Sequence, residues 1–471
     1  MDRPRAYNLY GNARRFLRAR GIRSRAGVGC VDKVTIEPSR HRDERTARSS
    51  PCLWCFLEHD LPLDSFDLGS DAVRGRFRAA LSRGDPQWLW PEVTVDAWQA
   101  ALFQIARTTS DILATGGART SLEGEADAIG IAAFTSGMGP MLGYWSMRQL
   151  FDADVSVHAI LQLHYRHNCR RMERLARHGA KIVERLATAG LSVTILKGMH
   201  TAYSYFPTPG TRPVSDIDLL IEPHDEPAAA EVLRKLGYEP GIVNTGEQSW
   251  HMSGTPREPR SLSLTHQDSP WTIDLHTSLD RQYSPGAPMI RLDEVVGRCV
   301  PDSWPITSKG TVLPPPELTL HLAFHASTPF VSLSMVRLTE LVLVLESVKR
   351  DGRLDWDAFL SLAQQTGAAS SVYPALHFAD ALVPGRVPAE VLMALEEQAP
   401  TAVRRVVRRL TPATCQRMRR CSLEERFMWT NGLRSWVREI VTDVFPCVDP
   451  RRLLDIYAMR FWRLARGTVS R

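Results

Sequence analysis

Apolar residues recur at three- and four-residue spacing through much of the first part of the chain, a pattern that predicts helices. Trp98 to Ala114 and the region around Met141 to Leu150 carry it, and a longer amphipathic helix is expected over roughly Val155 to Ala189. Its apolar stripe takes in Tyr165, Cys169, Met172, Leu175, Ile182 and Leu186. Arg166, Arg170, Arg171 and Arg174 crowd other positions as a solvated or acid-paired face. Gly190 supplies the stop. The period then shortens to two. Ser192 to Leu196 reads as a strand, Leu196-Lys197-Gly198 as a strand end running into a glycine turn, and Arg212 to Ile221 as a second strand. Asp225 and Pro227 mark a helix that ends at Gly237. Ser261 to Thr265 and Trp271 to His276 also alternate, with turn-like Gln267-Asp268-Ser269-Pro270 between them, which predicts a hairpin. Trp250 to Arg260, rich in Gly, Pro and charge, reads as a loop. Beyond Pro314-Pro315-Pro316 the helical period returns over Glu317 to Ala326 and Met335 to Lys349.

Alternation also gathers the chemistry. Successive side chains on a strand point to opposite faces, so Asp216 and Asp218 share one side while Ile217, Leu219 and Ile221 point into a core. Two carboxylates held close on a stiff strand repel each other unless a cation sits between them. Hard oxygen ligands that leave room for substrate phosphates suit Mg²⁺. In the later strand Thr272, Asp274 and His276 form the polar face; beside the first strand, Asp274 would complete a set of three acids able to hold two metals. An isolated Asp-x-Asp is more often a solvated turn or helix cap, but the flanking alternation and the third acid favour a metal site. Lys197 precedes a helix start, where backbone N–H groups can meet an anion. Arg212 could pair with a carboxylate or touch a triphosphate, and Ser215 is a weaker phosphate ligand. His276 is expected to support Asp274 rather than to act as a base. His321 and His325, four apart on one helix, are better read as interface histidines than as metal ligands.

These residues resemble the nucleotidyltransferases of the polymerase-β-like superfamily, in particular a bacterial branch with a Leu-Lys-Gly turn, an Arg-Pro-x-x-Asp-x-Asp strand and a later Asp-Leu-His strand. Lys197 and Gly198, then Arg212, Pro213, Asp216 and Asp218, then Asp274 and His276 match that order. Where the superfamily more generally places Gly-Ser or Gly-Gly at the turn, this chain has Gly198-Met199. The resemblance implies an α+β fold, a small mixed β-sheet nucleotidyltransferase core flanked by N- and C-terminal α-helical regions. The expected parts are a basic arm over 1–50, a helical region over 51–190, the catalytic core over 191–300 and a second helical region over 301–471. It implies transfer of a nucleoside monophosphate from an NTP, with pyrophosphate released. Asp216, Asp218 and Asp274 would be catalytic and metal-binding, and Lys197, Gly198, Arg212 and Ser215 nucleotide-binding. Mg²⁺ would be the cofactor, with Mn²⁺ as an alternative. The acceptor stays open among small molecules, peptides or proteins, and RNA. A non-catalytic NTP-sensing module that holds a peptide or RNA partner is the rival from another class, and an RNA-directed toxin-like transferase a third.

Composition adds constraints. Hydrophobic content of 44% and charged content of 23% are ordinary for a globular protein. No apolar run is long enough for a membrane span, and no apolar segment follows the basic N-terminus as a secretory signal requires, so a cytoplasmic location is expected. Eight cysteines, scattered, make no disulfide framework. Cys52 and Cys55 form an isolated Cys-x-x-Cys that reads as ordinary thiols. The first fifty residues hold thirteen Lys and Arg against five Asp and Glu, so the excess positive charge of the chain (+6 in all) belongs to them. That arm could meet nucleic acid, but it has no interleaved aromatic residues, and nucleic acid is not the favoured partner. Arg404 to Arg409, followed by Arg417, Arg419 and Arg420, reads as a solvated, salt-paired face before a polyanion site.

Overall fold

Ahead of the first strand the chain forms α1 (Val95–Thr115), α2 (Ala126–Thr135), α3 (Gly139–Met147) and the long α4 (Val155–Thr188). This computed structural model describes residues 93–116, 120–255, 264–283, 287–298, 300–328, 330–415, 427–430 and 432–444. The basic arm, the Cys52/Cys55 pair and Arg417, Arg419 and Arg420 lie outside the described residues. The Thr94 hydroxyl caps α1 by accepting from the Ala97 amide at 3.1 Å. The buried face of α4 runs through Val157, Ile160, Leu161, His164, Asn168, Arg171, Met172, Leu175, Ile182 and Leu186, a 3.6-residue period sustained along the helix. After it Gly190 turns the chain at φ +82°, a left-handed conformation that costs a side chain dearly and glycine little.

The sheet elements follow. They are β1 (Thr194–Ile195), α5 (Lys197–Ser204), β2 (Asp216–Leu220), α6 (Glu226–Lys235), β3 (Tyr238–Asn244), β4 (Glu247–Met252) and β5 (Thr272–His276). Then come β6 (Arg281–Gln282), β7 (Met289–Ile290), α7 (Asp293–Val296), β8 (Asp302–Ser303) and β9 (Thr311–Val312). Seven strands form one mixed sheet in the order β3-β4-β5-β2-β1-β9-β8, while β6 and β7 pair separately. β2 runs parallel to β5 and antiparallel to β1. The C-terminal helices are α8 (Pro315–Ser327), α9 (Met335–Asp351), α10 (Trp356–Gln365), α11 (Ala369–Leu382), α12 (Ala389–Gln398), α13 (Thr401–Val407) and α14 (Gly432–Val444). The fold is α+β, with helical regions on either side of the sheet in sequence. Among the described residues no helix is long and apolar enough to cross a membrane.

One face of the sheet supplies the core. Ile217, Leu219, Ile273, Leu275 and Trp250 pack with Met172, Leu175 and Ile182 of α4 and with Ala229 and Leu233 of α6. Each large side chain removed from water there stabilises the fold by about 1.5–3 kcal/mol. The opposite face keeps the polar residues of the same strands.

Three local expectations are corrected. β5 has both edges taken, by β2 and by β4, so it is not paired as the expected hairpin with 261–265 requires; residues 261–263 themselves lie outside the described residues. Its antiparallel neighbour is β4, in a segment that reads as loop from Trp250 onwards, with Trp250 opposite Ile273. Trp250 is a fully buried anchor, and that burial outweighs the poor strand composition around it. Gly198 makes no turn: Lys197 opens α5 directly and Gly198 is its second residue. Arg171 is not on a solvated face but is buried, for reasons that concern the site.

Candidate active site

The parallel pairing of β2 with β5 sets Asp218 beside Asp274 and Leu219 beside Leu275, so one register builds both the core and the acid cluster. Asp216, two residues earlier on β2, faces the same way. Carboxylate oxygens of Asp216, Asp218 and Asp274 all lie within 4.8 Å of one another. Among the described residues this is the one group of three or more ligand-type side chains placed to hold a metal ion.

The three acids are not equivalent. Asp218 is 2% exposed in its side chain, and the Lys197 ammonium lies 2.8 Å from its Oδ1. His276 Nε2 lies 3.1 Å from the same oxygen. Burial alone would favour the neutral acid, but Lys197 and His276 outweigh it and hold the Asp218 carboxyl well below the usual range. The same pairing raises Lys197: burial works against its charge, and Asp218 and Asp216 more than restore it. Asp216 moves the other way, raised by burial and then by the charge of Asp218. Asp274 is pushed up to about 6 by burial, with Asp216 and Asp218 adding repulsion. Ser249, opposite Asp274 on β4, hydrogen-bonds its carboxyl. Asp274 Oδ1 is buried with no hydrogen-bond partner among the described residues.

Several elements converge to hold this arrangement. β1 delivers the chain to Lys197, and the Leu196 amide donates to the Asp218 carbonyl at 3.1 Å, which docks the start of α5 against β2. Gly198 packs beside Val214, whose methyl would lie 3.3 Å from an added Cβ. Arg171 spends its whole guanidinium on backbone. Its Nε donates to the Val214 carbonyl at 3.1 Å, and its terminal nitrogens donate to the carbonyls of Ser269 and Pro270. One side chain thus ties the approach to β2 to the approach to β5. Spacing alone could not reveal this, because the acceptors are carbonyls roughly 43 and 98 residues away.

His276, expected beside Asp274, bonds Asp218 instead, because the diagonal across the two strands brings its Nε2 there. Ser215 is exposed at the start of β2, and its side chain hydrogen-bonds Asp216. Arg212 is paired: its Nε and a terminal nitrogen donate to the two Glu340 oxygens at 3.1 and 2.9 Å. The Thr201 hydroxyl also donates to Glu340. α8 and α9 bring His321 and Arg337 within electrostatic reach of the acids. His321 feels Lys197, Asp218 and His276, and burial pushes it down to about 3, so it is neutral. Both of its ring nitrogens are buried without a partner. His321 and His325 stack with ring planes 4° apart and join no acidic cluster. Arg337 of α9 also acts on Asp216, Asp218 and Lys197, although its sequence position gave no sign of it. Arg408 pairs with Glu396 at 2.8 Å, in keeping with a salt-paired face.

Residues 125–384 match a family model described as "Uncharacterised nucleotidyltransferase". The match covers more than half of the chain, from the start of α2 to the end of α11, and so includes every element that borders the acids. The chain belongs to this nucleotidyltransferase family. No curated protein and no solved structure matches it. Membership of this nucleotidyltransferase family, together with the three clustered carboxylates, gives the chain a general nucleotidyl-transfer role.

Proposed function

We propose that the protein is a Mg²⁺-dependent, polymerase-β-like nucleotidyltransferase that moves a nucleoside monophosphate from an NTP to an acceptor. The observation that carries this is the acid cluster with its unpartnered Asp274 Oδ1. Three hard carboxylate donors, one orphaned and two mutually repelling, fit divalent magnesium. Asp216 and Asp218 would hold the metals jointly, and Asp274 would complete the set on the acceptor side. Bound metal would supply positive charge to the α-phosphate and lower the pKa of an attacking hydroxyl.

The chain's own residues do the rest. The acceptor oxygen or nitrogen forms a bond to the α-phosphorus as the bond to the β-phosphate oxygen breaks. Pyrophosphate leaves with that electron pair, and the acceptor proton passes through the Asp274 carboxyl to solvent. Lys197 and the Gly198 amide at the start of α5 meet charge that moves onto the leaving phosphates. Ser215 stands at the edge of the site. Arg212, its charge compensated by Glu340, holds the chain leading into β2. His276 orients Asp218, and Arg171 fixes the spacing of the two acid-bearing strands.

The test incubates purified full-length protein with Mg²⁺ and each of four α-³²P-labelled NTPs in desalted lysate, beside Asp216→Asn/Asp218→Asn. Label transferred by the wild type alone supports the proposal, and sorting the product into RNA, protein and small molecules gives the acceptor class. Mg²⁺-dependent NTP binding without transfer would replace it with the sensing module.

A further inference from the structure

The charges around the acid cluster do not pair off completely, and the remainder points to a ligand. Lys197 is matched by Asp218. Arg212 is matched, on both oxygens, by Glu340. Asp216 and Asp274 are left without a cation within ion-pair distance among the described residues. On the cationic side Arg337 is left over. It lies three residues before Glu340, on the same face of α9, so its side chain issues beside the Arg212–Glu340 pair. One terminal nitrogen donates to the carbonyls of His325 and Ser332, each at 3.2 Å. Among the described residues the other guanidinium N–H groups have no protein acceptor and no carboxylate lies within ion-pair distance.

A half-buried arginine beside two other cations, without an acid of its own, is an expensive arrangement unless a ligand completes it. Acids lacking a cation and an arginine lacking an anion, in one site, are complementary to a metal–polyphosphate. The metal would satisfy Asp216 and Asp274, and phosphate oxygens would take the free edge of the guanidinium fork. We infer that Arg337 is the residue that grips the β- and γ-phosphates of the NTP. Arg212 is a positioning residue that acts through Glu340. This inference rests on the nucleotidyltransferase reading of the same site and adds to it the residue that recognises the triphosphate.

Inorganic tripolyphosphate with MgCl₂ is the probe, because it needs no base preference; calorimetry on the full chain measures its affinity. Arg337→Gln should weaken binding at least tenfold, and Arg337→Lys, which keeps the charge and a donor for the backbone carbonyls, by a smaller factor. Arg350→Gln, an exposed position on the same helix, removes the same charge and should leave affinity unchanged. Circular dichroism and thermal melting establish that each variant is folded; should Arg337→Gln unfold, Arg337→Lys carries the test. Wild-type affinity in the folded Arg337 variants, with binding still lost in Asp216→Asn/Asp218→Asn, would overturn the role of Arg337 and leave the active-site reading standing. Failure of the wild type to bind tripolyphosphate or any of the four NTPs would overturn both.

Discussion

Within one cluster of three aspartates, side chains in contact through space set Asp218 apart from the other two. Asp218 keeps its charge because Lys197 and His276 touch it. Asp274 lacks such a neighbour, so burial and repulsion raise it to about 6. A folded-state pKa above the unfolded one means the native protein binds the proton more tightly. The associated stability is therefore full at low pH and is lost as pH rises from the ordinary aspartate range through about 6. Asp274→Asn should abolish transfer, yet raise the metal-free melting temperature by a few degrees at pH 8 and by almost nothing at acidic pH. Thermal melts across pH check this, and a lower melting temperature at pH 8 would refute it. The Arg212–Glu340 pair is largely withdrawn from water, at 11% and 3% exposure. Removing one partner strands the other's charge, so Glu340→Gln should cost about 3–5 kcal/mol in urea unfolding. Arg212→Met/Glu340→Leu should recover much of that loss, since an apolar pair leaves no buried charge behind.

At the scale of elements, the two acid-bearing strands are held by helices that approach closely. α3 crosses α4 with Gly143 against its backbone, where an added Cβ would sit 2.0 Å from the Leu161 carbonyl oxygen. No rotamer change relieves a contact with backbone, so Gly143→Ala should destabilise by about 1–3 kcal/mol or more. Gly179 in the interior of α4 is the contrasting case. Its added methyl would lie 3.4 Å from the Trp304 ring, an ordinary contact. Gly179→Ala should be neutral or stabilising by up to about 1 kcal/mol, since glycine costs a helix backbone entropy. Chemical denaturation of the two variants side by side measures the difference. Much of the helical layout was legible because a helix signals itself through its own spacing. Val155–Thr188 and Met335–Asp351 follow their apolar period. Strand partners were not. β4 has a charged, polar composition and becomes a strand because Trp250 is buried opposite Ile273.

Across the whole molecule, the site is a meeting of a sheet, a long helix before it and two helices after it, and its cost in stability is recoverable by a ligand. Metal that binds only the folded state stabilises it by mass action, by about 2.7 kcal/mol at a hundredfold excess over Kd. MgCl₂ should therefore raise the melting temperature of the wild type and leave that of Asp216→Asn/Asp218→Asn unchanged. Equal shifts in both would place the metal elsewhere. The sequence by itself determined that Asp216 and Asp218 share a face, that Asp274 and His276 share another, and that Lys197 stands where a strand meets a helix. Those relations depend on the two-residue period of a strand and on adjacent residues alone. Only the tertiary structure decided that β5 lies parallel to β2 in a register that sets Asp274 beside Asp218. It alone decided that Glu340 takes Arg212 from 128 residues away, that Arg171 binds backbone carbonyls, and that Arg337 meets two backbone carbonyls and no carboxylate among the described residues. Burial selects among many chemically equivalent arginines and acids, and burial is a property of the packed chain, not of any local pattern within it.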